Sequence, residues 1–465
     1  MIRDRYDPMQ LFDLVPQLQL RFEPELAELD RLLEDDRLFQ QVKADLARRC
    51  PKTTVTGRPG TPVEVVLRLL VVKHLYGWSY EQTEQFVGDS LVLRQFCRLY
   101  LATTPADTTL LRWANLIQPE TLHHLLARVT ELAAAQRVTR GRKLRTDSTV
   151  VETNIHHPSD STLLADGVRV LSRLVRRAQS VRGAVGAAAS ALYRDRTRSA
   201  KRLAHRIGEA AAHAPARRAD PRPALYQRLL AVARASLRQA AQVRERVAAT
   251  AGAAARLGAA LDRVLPLVER VVEQTARRVL HGESVPAGAK VLSLFEPHTA
   301  VLRRGKVRQP TEFGRKLVLD EVDGGLVSRY AVLPGNPPDA ASVLPSVAHH
   351  CVQFGHPPAV LTGDRGTYSP DNEAAALAAG VRQVALPQPG TTTPARRAHE
   401  RQRWFRRARR WRSGIEGRIS VLRRGFGLAR CRYHGEAGME RWVGWAIITH
   451  NLRTISRTVA ARRAA

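Results

Sequence analysis

Asp147, Asp364 and Glu416 are the residues whose types and neighbourhoods could do chemistry. Asp147 stands in KLRTDSTVVET, an apolar run rich in β-branched residues, which predicts a strand with a carboxylate projecting from it. Asp364 follows the apolar stretch PAVLTGD and precedes RGTYSPDNE, so it is expected at the C-terminal end of another strand. Glu416 lies in WRSGIEGRISVLRRGFG, a basic segment that reads as a helix. Three carboxylates, remote in sequence but converging on one point, make a cage for hard divalent cations. Two such ions activate an attacking oxygen and stabilise a leaving one, the apparatus of phosphodiester cleavage and transfer. The expected cofactor is therefore a pair of Mg²⁺ ions, with Mn²⁺ able to substitute. Any one of these acids alone reads as structural; it is the combination that points to chemistry. Glu152, Asp160 and Asp166 compete near the first, Asp371 and Glu373 near the second, and rank lower because they fall in turns or later along a strand.

The chain around these acids has 465 residues with 74 Lys and Arg against 43 Asp and Glu, a formal charge of +31. A 44% apolar content supports a folded protein rather than a disordered polycation. So large a cationic excess implies a polyanionic partner, because basic side chains gain affinity by releasing counterions from phosphates. An Arg-rich composition inherited from a GC-rich genome is the other source of such an excess. Cys50, Cys97, Cys351 and Cys431 show no paired spacing, and suggest neither a disulfide framework nor a zinc site. MIRDRYDPMQLF carries charges where a signal peptide needs an apolar core, and no apolar run approaches the ~20 residues of a membrane span. The expectation is a cytoplasmic, nucleoid-associated protein with no membrane contact.

The elements that must position the acids follow from periodicity and punctuation. Residues 1–118 read as a helical N-terminal DNA-binding domain: PVEVVLRLLVVKHLYG is a helix with Pro at its start and Gly at its end. WSYEQTEQFVGDSLVLRQFCRLY gives two short helices around Gly88-Asp89-Ser90, and TPADTTLLRWANLI opens another behind Asp107. Short helices with tight turns suit a helix-turn-helix module, or a small bundle used for packing or dimerisation. Residues 119–140 form a connecting helix, and 141–165 the first part of the catalytic core. Residues 166–285 read as a helical insertion, where Leu257, Leu261, Val264, Val268, Val271 and Thr275 trace a coiled-coil-like seam. The Pro-rich AHAPARRADPRPAL divides it into two arms, predicting an antiparallel hairpin. Residues 286–465 hold the remainder of the core and basic C-terminal helices. Strands are expected at VLSLFEP, LVLDEVDG and SRYAVLPG, the last two joined by a turn at Asp323-Gly324-Gly325. A helix, the Asp364 strand, a short helix closed by Gly380 and the strand VRQVALP follow. This order predicts an α/β fold: an RNase-H-like mixed sheet with flanking helices, a helical N-terminal domain and a long helical insertion after the first core strand.

The segment RRAHERQRWFRRARRWRSGIEGRISVLRRGFGLARCRYHG interleaves Trp404, Phe405 and Trp411 with Arg406, Arg407, Arg409 and Arg410. Arg holds phosphates and rings stack on unpaired bases, as a DNA-processing surface requires. The plainer alternative is that the aromatics pack the helix onto the sheet while the arginines are solvated. His156-His157 and His349-His350 lack the spacing of a zinc motif, which leaves structural or phosphate-contact roles. Asn154 and His156 follow the first acidic strand closely enough to line a site there.

Together these residues resemble the DDE transposases of bacterial insertion sequences. TDSTVVETNIHHPSDSTLLADG is similar to the region of that family's first catalytic Asp, LTGDRGTYSPDNEAAA to that of its second, and RPGTPVEVVLRLLVVKHLYGWSYEQTEQFVGDSLVLRQFCRLY to its helical N-terminal domain. The resemblance is greatest to the ISNCY type and covers nearly all of the chain except the helical insertion. Many relatives carry Tyr, Arg, Glu and Lys spaced around the catalytic Glu. Here Arg412 stands four residues before Glu416 and Arg423 seven after it in place of the Lys, while Arg409 occupies the Tyr position. The resemblance implies a transposase that binds terminal inverted repeats, cleaves the element's ends and joins the 3′-OH to target DNA, as a dimer or larger assembly. Asp147, Asp364 and Glu416 would hold the metals, and Arg412, Arg423 and Arg409 would contact DNA. A non-catalytic DNA-binding derivative of such an element, and an RNase-H-like nuclease without strand transfer, are the alternatives.

Overall fold

The buried helix at the centre of the N-terminal region shows how this sequence folds. In α3 (Val63–Tyr76) every residue from Val63 to Leu75 is buried, as expected of a helix apolar on all sides, and Gly77 closes it at φ +69°. Its Arg68 is wholly enclosed and is neutralised by Glu64 at 3.0 Å and Asp30 at 2.6 Å, the pairing a buried charge requires. The computed structural model describes residues 2–6, 22–48, 60–181, 183–212, 220–247, 252–303 and 311–465. They form two units: 1–152 together with 315–465, and 153–314.

Around α3 stand α1 (Pro24–Leu32), α2 (Asp36–Ala47), α4 (Tyr80–Asp89), α5 (Leu91–Phe96), α6 (Asp107–Leu116) and α7 (Pro119–Ala135). The break between α4 and α5 is at Ser90, whose hydroxyl accepts the Leu93 N–H and caps α5. The first strand, β1 (Lys143–Glu152), follows α7.

The unit spanning 153–314 holds α8 (Asp160–Gln179), α9 (Ala184–Leu192), α10 (Thr197–Ala212), α11 (Arg222–Glu245) and α12 (Gly252–Thr275). It has its own core, with α8 packed against the other four helices. The expected two-arm hairpin is therefore a five-helix bundle. The apolar face of α8, from Leu163 through Leu164, Val168, Leu171, Leu174 and Val175 to Ala178, is too wide for one partner to cover. Every seam residue predicted on α12 is buried. Residues 213–219 of the Pro-rich break lie outside the described residues. VLSLFEP is not a strand: the Gln274 side chain accepts the N–H and donates to the C=O of Val291, and Ser293 Oγ accepts the N–H groups of Phe295 and Glu296. With its backbone groups met by side chains, this run needs no neighbouring strand. The strand of this region is instead β2 (Ala300–Arg303), antiparallel to residues 311–314 of β3 (Thr311–Val322).

In the other unit β3 continues into a hairpin with β4 (Leu326–Leu333), turning through Gly324 at φ +85° and Gly325 at φ +75°. Asp323 in this turn accepts the N–H groups of Arg140 and Arg142, fixing where β1 begins. Then come α13 (Val343–Phe354), β5 (Val360–Thr362), α14 (Pro370–Ala378), β6 (Gln383–Ala385), α15 (Pro394–Glu400), α16 (Arg403–Gly425) and α17 (Glu436–Ala464). The strands lie in the order β4-β3-β1-β5-β6, with β5 parallel to both β1 and β6. This mixed sheet, with an antiparallel hairpin on one side and parallel strands on the other, is the RNase-H-like arrangement expected from the element order. The long α17 packs on α1, α3, α7 and β4, so the N-terminal helices and the sheet share one hydrophobic core. Among the described residues no helix is long and apolar enough to cross a membrane. Cys97, Cys351 and Cys431 form no disulfide among the described residues; Cys50 lies outside them.

Candidate active site

Asp147 occupies the middle of the central strand, and the pleat puts it on the same face as Arg145 and Thr149. The β1–β5 register pairs Arg145 with Thr362. Asp147 lies two residues past Arg145 on β1, and Asp364 two residues past Thr362, where β5 has ended. Asp364, two residues past the end of β5, caps a single 3₁₀ turn: its Oδ1 accepts the Thr367 N–H at 3.1 Å, and the Thr367 hydroxyl donates back to the Asp364 carbonyl at 2.6 Å. Gly363 is required here, since a β-carbon would fall 2.3 Å from Thr367 Oγ1.

Helix α16 crosses this face, packed on β1, β5 and β6. Arg412 joins two of the acids: Nη2 donates to Asp147 Oδ2 at 2.8 Å and Nη1 to Glu416 Oε1 at 3.2 Å, within one turn of the helix. The Asp147 side chain is 9% exposed and that of Glu416 70%, so the pair spans from the sheet to solvent. A positive group already lies between these two carboxylates, which is the charge arrangement a divalent cation would need. Among the described residues no three His, Cys, Asp or Glu side chains are grouped so as to hold a metal ion.

A buried polar network fixes the helix over the acids. Arg145 grips Glu321 on β3 with two bonds, at 3.0 and 2.6 Å, donates to the carbonyl of Trp411, and stacks its guanidinium 4.7 Å from the Trp411 ring. Glu321 also receives Arg418 of α16 at 3.4 Å. Arg418 donates to His450 Nε2 at 2.9 Å, and His450 Nδ1 meets Asn451 Oδ1 at 3.1 Å. Burial first, and then Arg418, push His450 down to about 4, so it is neutral and its Nε2 is free to accept. Asn451 completes the chain by bonding both backbone groups of Val327 on β4.

The other candidates fall in several places. Arg406, Arg407, Arg409 and Arg410 are exposed. Arg423 turns back to the sheet and donates to the Val150 carbonyl at 3.0 Å. Trp411 lies under Arg145 and Lys143, while Trp404 packs against Phe405 and His399. Glu152 pairs with Arg430 at 2.9 Å and Glu373 with Arg396 at 2.7 Å. Asp371 is exposed in the first turn of α14. In the 153–314 unit Asp160 pairs with Arg278 at 2.8 Å and Asp166 with Arg169 at 2.7 Å; Asn154 and His156 are exposed there, and His157 sits edge-on to Phe313. His350 bonds the Gly141 carbonyl at 2.8 Å, and burial lowers it to about 4. Burial lowers its neighbour His349 as well.

One acid beside the site went unread in the sequence. Asp339 pairs with Lys316 at 2.9 Å, and a β-carbon on Gly366 would lie 3.2 Å from Asp339 Oδ2 and 3.3 Å from Asp364 Oδ1. Asn372 binds the two loops together through the carbonyls of Ala340 and Thr367. In sequence Asp339 follows Pro-Pro and precedes a helix, the ordinary place for a helix-start residue.

Residues 11–116 match the family model of a transposase domain, DUF772, and residues 381–456 match that of a transposase DDE domain. No curated protein and no solved structure matches the chain. Both matches are to transposase domains, and the mixed sheet is consistent with the second of them. Together the two matches support an insertion-sequence DDE transposase.

Proposed function

We propose that this chain cuts the terminal inverted repeats of an insertion sequence and joins the freed 3′-OH to target DNA, with Asp147, Asp364 and Glu416 holding two Mg²⁺ ions, or Mn²⁺ in their place. The observation that supports this reading is the Arg412 bridge from Glu416 to Asp147 on β1, the strand whose parallel neighbour β5 ends two residues before Asp364. Bound there, the two ions supply Lewis-acid activation of the attacking oxygen and stabilise the leaving one. The chain's own residues do the positioning. Glu321, Arg145 and Arg418 hold α16 against the sheet, and Arg412 screens the repulsion between Asp147 and Glu416 until cations enter. Arg406, Arg407, Arg409 and Arg410 offer charge to the DNA backbone from the exposed side of the same helix. Arg423, bonded to the Val150 carbonyl, positions the helix. The helical N-terminal region, in which α6 exposes Thr108, Arg112 and Asn115, supplies the surface that reads the ends. Bringing two ends together requires a dimer or a larger assembly working on DNA of the nucleoid.

The test is a strand-transfer assay with pre-cleaved ends and a supercoiled target. Asp147→Asn, Asp364→Asn and Glu416→Gln each abolish metal-dependent cleavage and joining while retaining end binding in a gel shift. Cleavage at the normal rate in Asp364→Asn overturns the assignment. Nicking without joined products would make the protein a nuclease, and binding without nicking a non-catalytic derivative.

A further inference from the structure

Lys73, in the last turn of α3, is 4% exposed, yet among the described residues it meets no carboxylate and no hydrogen-bond acceptor. Its ammonium lies over three rings instead: Tyr80 at 4.6 Å, Tyr433 at 5.3 Å and Trp442 at 5.7 Å. Ring faces attract a cation but do not neutralise it. The charged group that acts on Lys73 is Arg432, of the same sign; burial and that repulsion lower Lys73 to about 8. A buried cation without a counter-charge is costly, and an anion arriving beside it recovers that cost.

Space for such an anion adjoins it. A pocket of about 410 Å³ is lined by Lys73 and Arg432, by the rings of Trp78, Tyr80, Tyr433 and Trp442, and by Ser79, Leu111, Asn115 and His434, with no acid among them. The rings are held in place. Tyr80 donates to the Tyr433 hydroxyl at 2.7 Å, and that hydroxyl meets Nε2 of His74 at 3.1 Å. Burial keeps His74 neutral, and it stacks on Trp445. Trp78 is stacked on Tyr76 with centroids 4.5 Å apart. Fixed ring faces beside two cations match a ligand with a planar ring and a phosphate.

We propose that this pocket binds a nucleotide, its phosphate between Lys73 and Arg432 and its base against the aromatic wall. The nucleotide is either free or an unpaired residue of a DNA strand; the second source rests on the transposase reading, the pocket itself does not. Stacking on aromatic side chains tolerates any base, because every base has a π-face.

Tryptophan fluorescence of the full chain reads occupancy, since Trp78 and Trp442 line the pocket. Titrations use deoxyadenosine monophosphate, inorganic phosphate, a short single-stranded oligonucleotide and the matching duplex. The expected result is a saturable change with the monophosphate or the single strand, and weaker binding of phosphate alone. Lys73→Met weakens the response tenfold or more, and Arg432→Gln several-fold. Arg432 is exposed, so its variant keeps the parent melting temperature and stands in should Lys73→Met not fold. A response to the monophosphate identifies a free nucleotide, and one confined to the single strand identifies DNA; either upholds the pocket. No saturable change with either ligand, or equal affinity in parent and Arg432→Gln, overturns it. The Asp364→Asn protein gives the parent titration curve whatever becomes of its cleavage, which separates failure of this proposal from failure of the catalytic one.

Discussion

A β-carbon on Gly414 would stand 2.7 Å from Nη1 of Arg145, so α16 meets β1 at a glycine because a guanidinium fills the space a side chain would take. That guanidinium cannot swing aside freely, being bonded twice to the buried Glu321 and once to the Trp411 carbonyl. Gly414→Ala must therefore either break the pair or lift the helix from the acids. Breaking a buried ion pair costs about 3–5 kcal/mol. The expected outcome is a loss of that order in urea unfolding and at least a tenfold fall in cleavage. Parent stability together with parent cleavage in this variant would mean that the Arg145–Glu321 pair does not position α16.

The elements that carry Asp147, Asp364 and Glu416 were legible in the sequence because their signals are local. β-branched residues around Asp147 and the Gly- and Ser-containing exit after Asp364 mark strand and strand end, and Gly77 and Gly355 adopt the left-handed caps their positions suggest. What was not legible depends on distant partners. VLSLFEP has the composition of a strand, but Gln274, 17 residues before Val291, claims its backbone. Arg412 is recognisable as an i,i+4 partner of Glu416, whereas its bond to Asp147 spans 265 positions. Lys73 reads as an ordinary helix-end charge, since nothing nearby in sequence announces that Tyr433 and Trp442 will enclose it.

Arg412 is expected to compete with metal. Its guanidinium occupies the space between Asp147 and Glu416, so cations must displace it or share those oxygens with it. Arg412→Met leaves two carboxylates facing one another with no positive charge between them. Mn²⁺ then binds several-fold more tightly by calorimetry, while DNA cleavage falls because the helix loses its tie to β1. Equal Mn²⁺ affinity in parent and variant would show that Arg412 does not stand in for the ion.

The exposed row Arg406, Arg407, Arg409 and Arg410 makes a prediction about salt. Each phosphate contact contributes about 0.9 to the slope of log affinity against log salt on duplex DNA. Replacing all four by Gln lowers that slope by the number of contacts they make and weakens repeat and unrelated duplexes alike, because phosphates carry no sequence information. A filter-binding series at several salt concentrations measures it. An unchanged slope would mean that these arginines are solvated and that the DNA lies elsewhere.

Acid is expected to destabilise the fold through its buried histidines. Burial holds His350 and His450 at about 4, against 6.5 for a free imidazole. Between these values the unfolded chain binds protons that the folded one does not, so stability falls as pH drops below about 6.5 and levels off near 4. His74, His123 and His349 are also lowered by burial and act in the same direction. Glu440 opposes them: burial raises it to about 7 from 4.5, so the folded state keeps a proton there that the unfolded chain releases, and this favours the fold as pH falls. One carboxyl against several histidines leaves a net uptake of protons on unfolding. The melting temperature is therefore expected to drop steadily from pH 7 to pH 5. His350→Gln, whose amide can still donate to the Gly141 carbonyl, lowers the slope by about one proton. A melting temperature that is flat or rises over that interval would mean that the imidazoles are protonated inside the fold, and that His450 Nε2 cannot be the acceptor that holds Arg418 over Glu321.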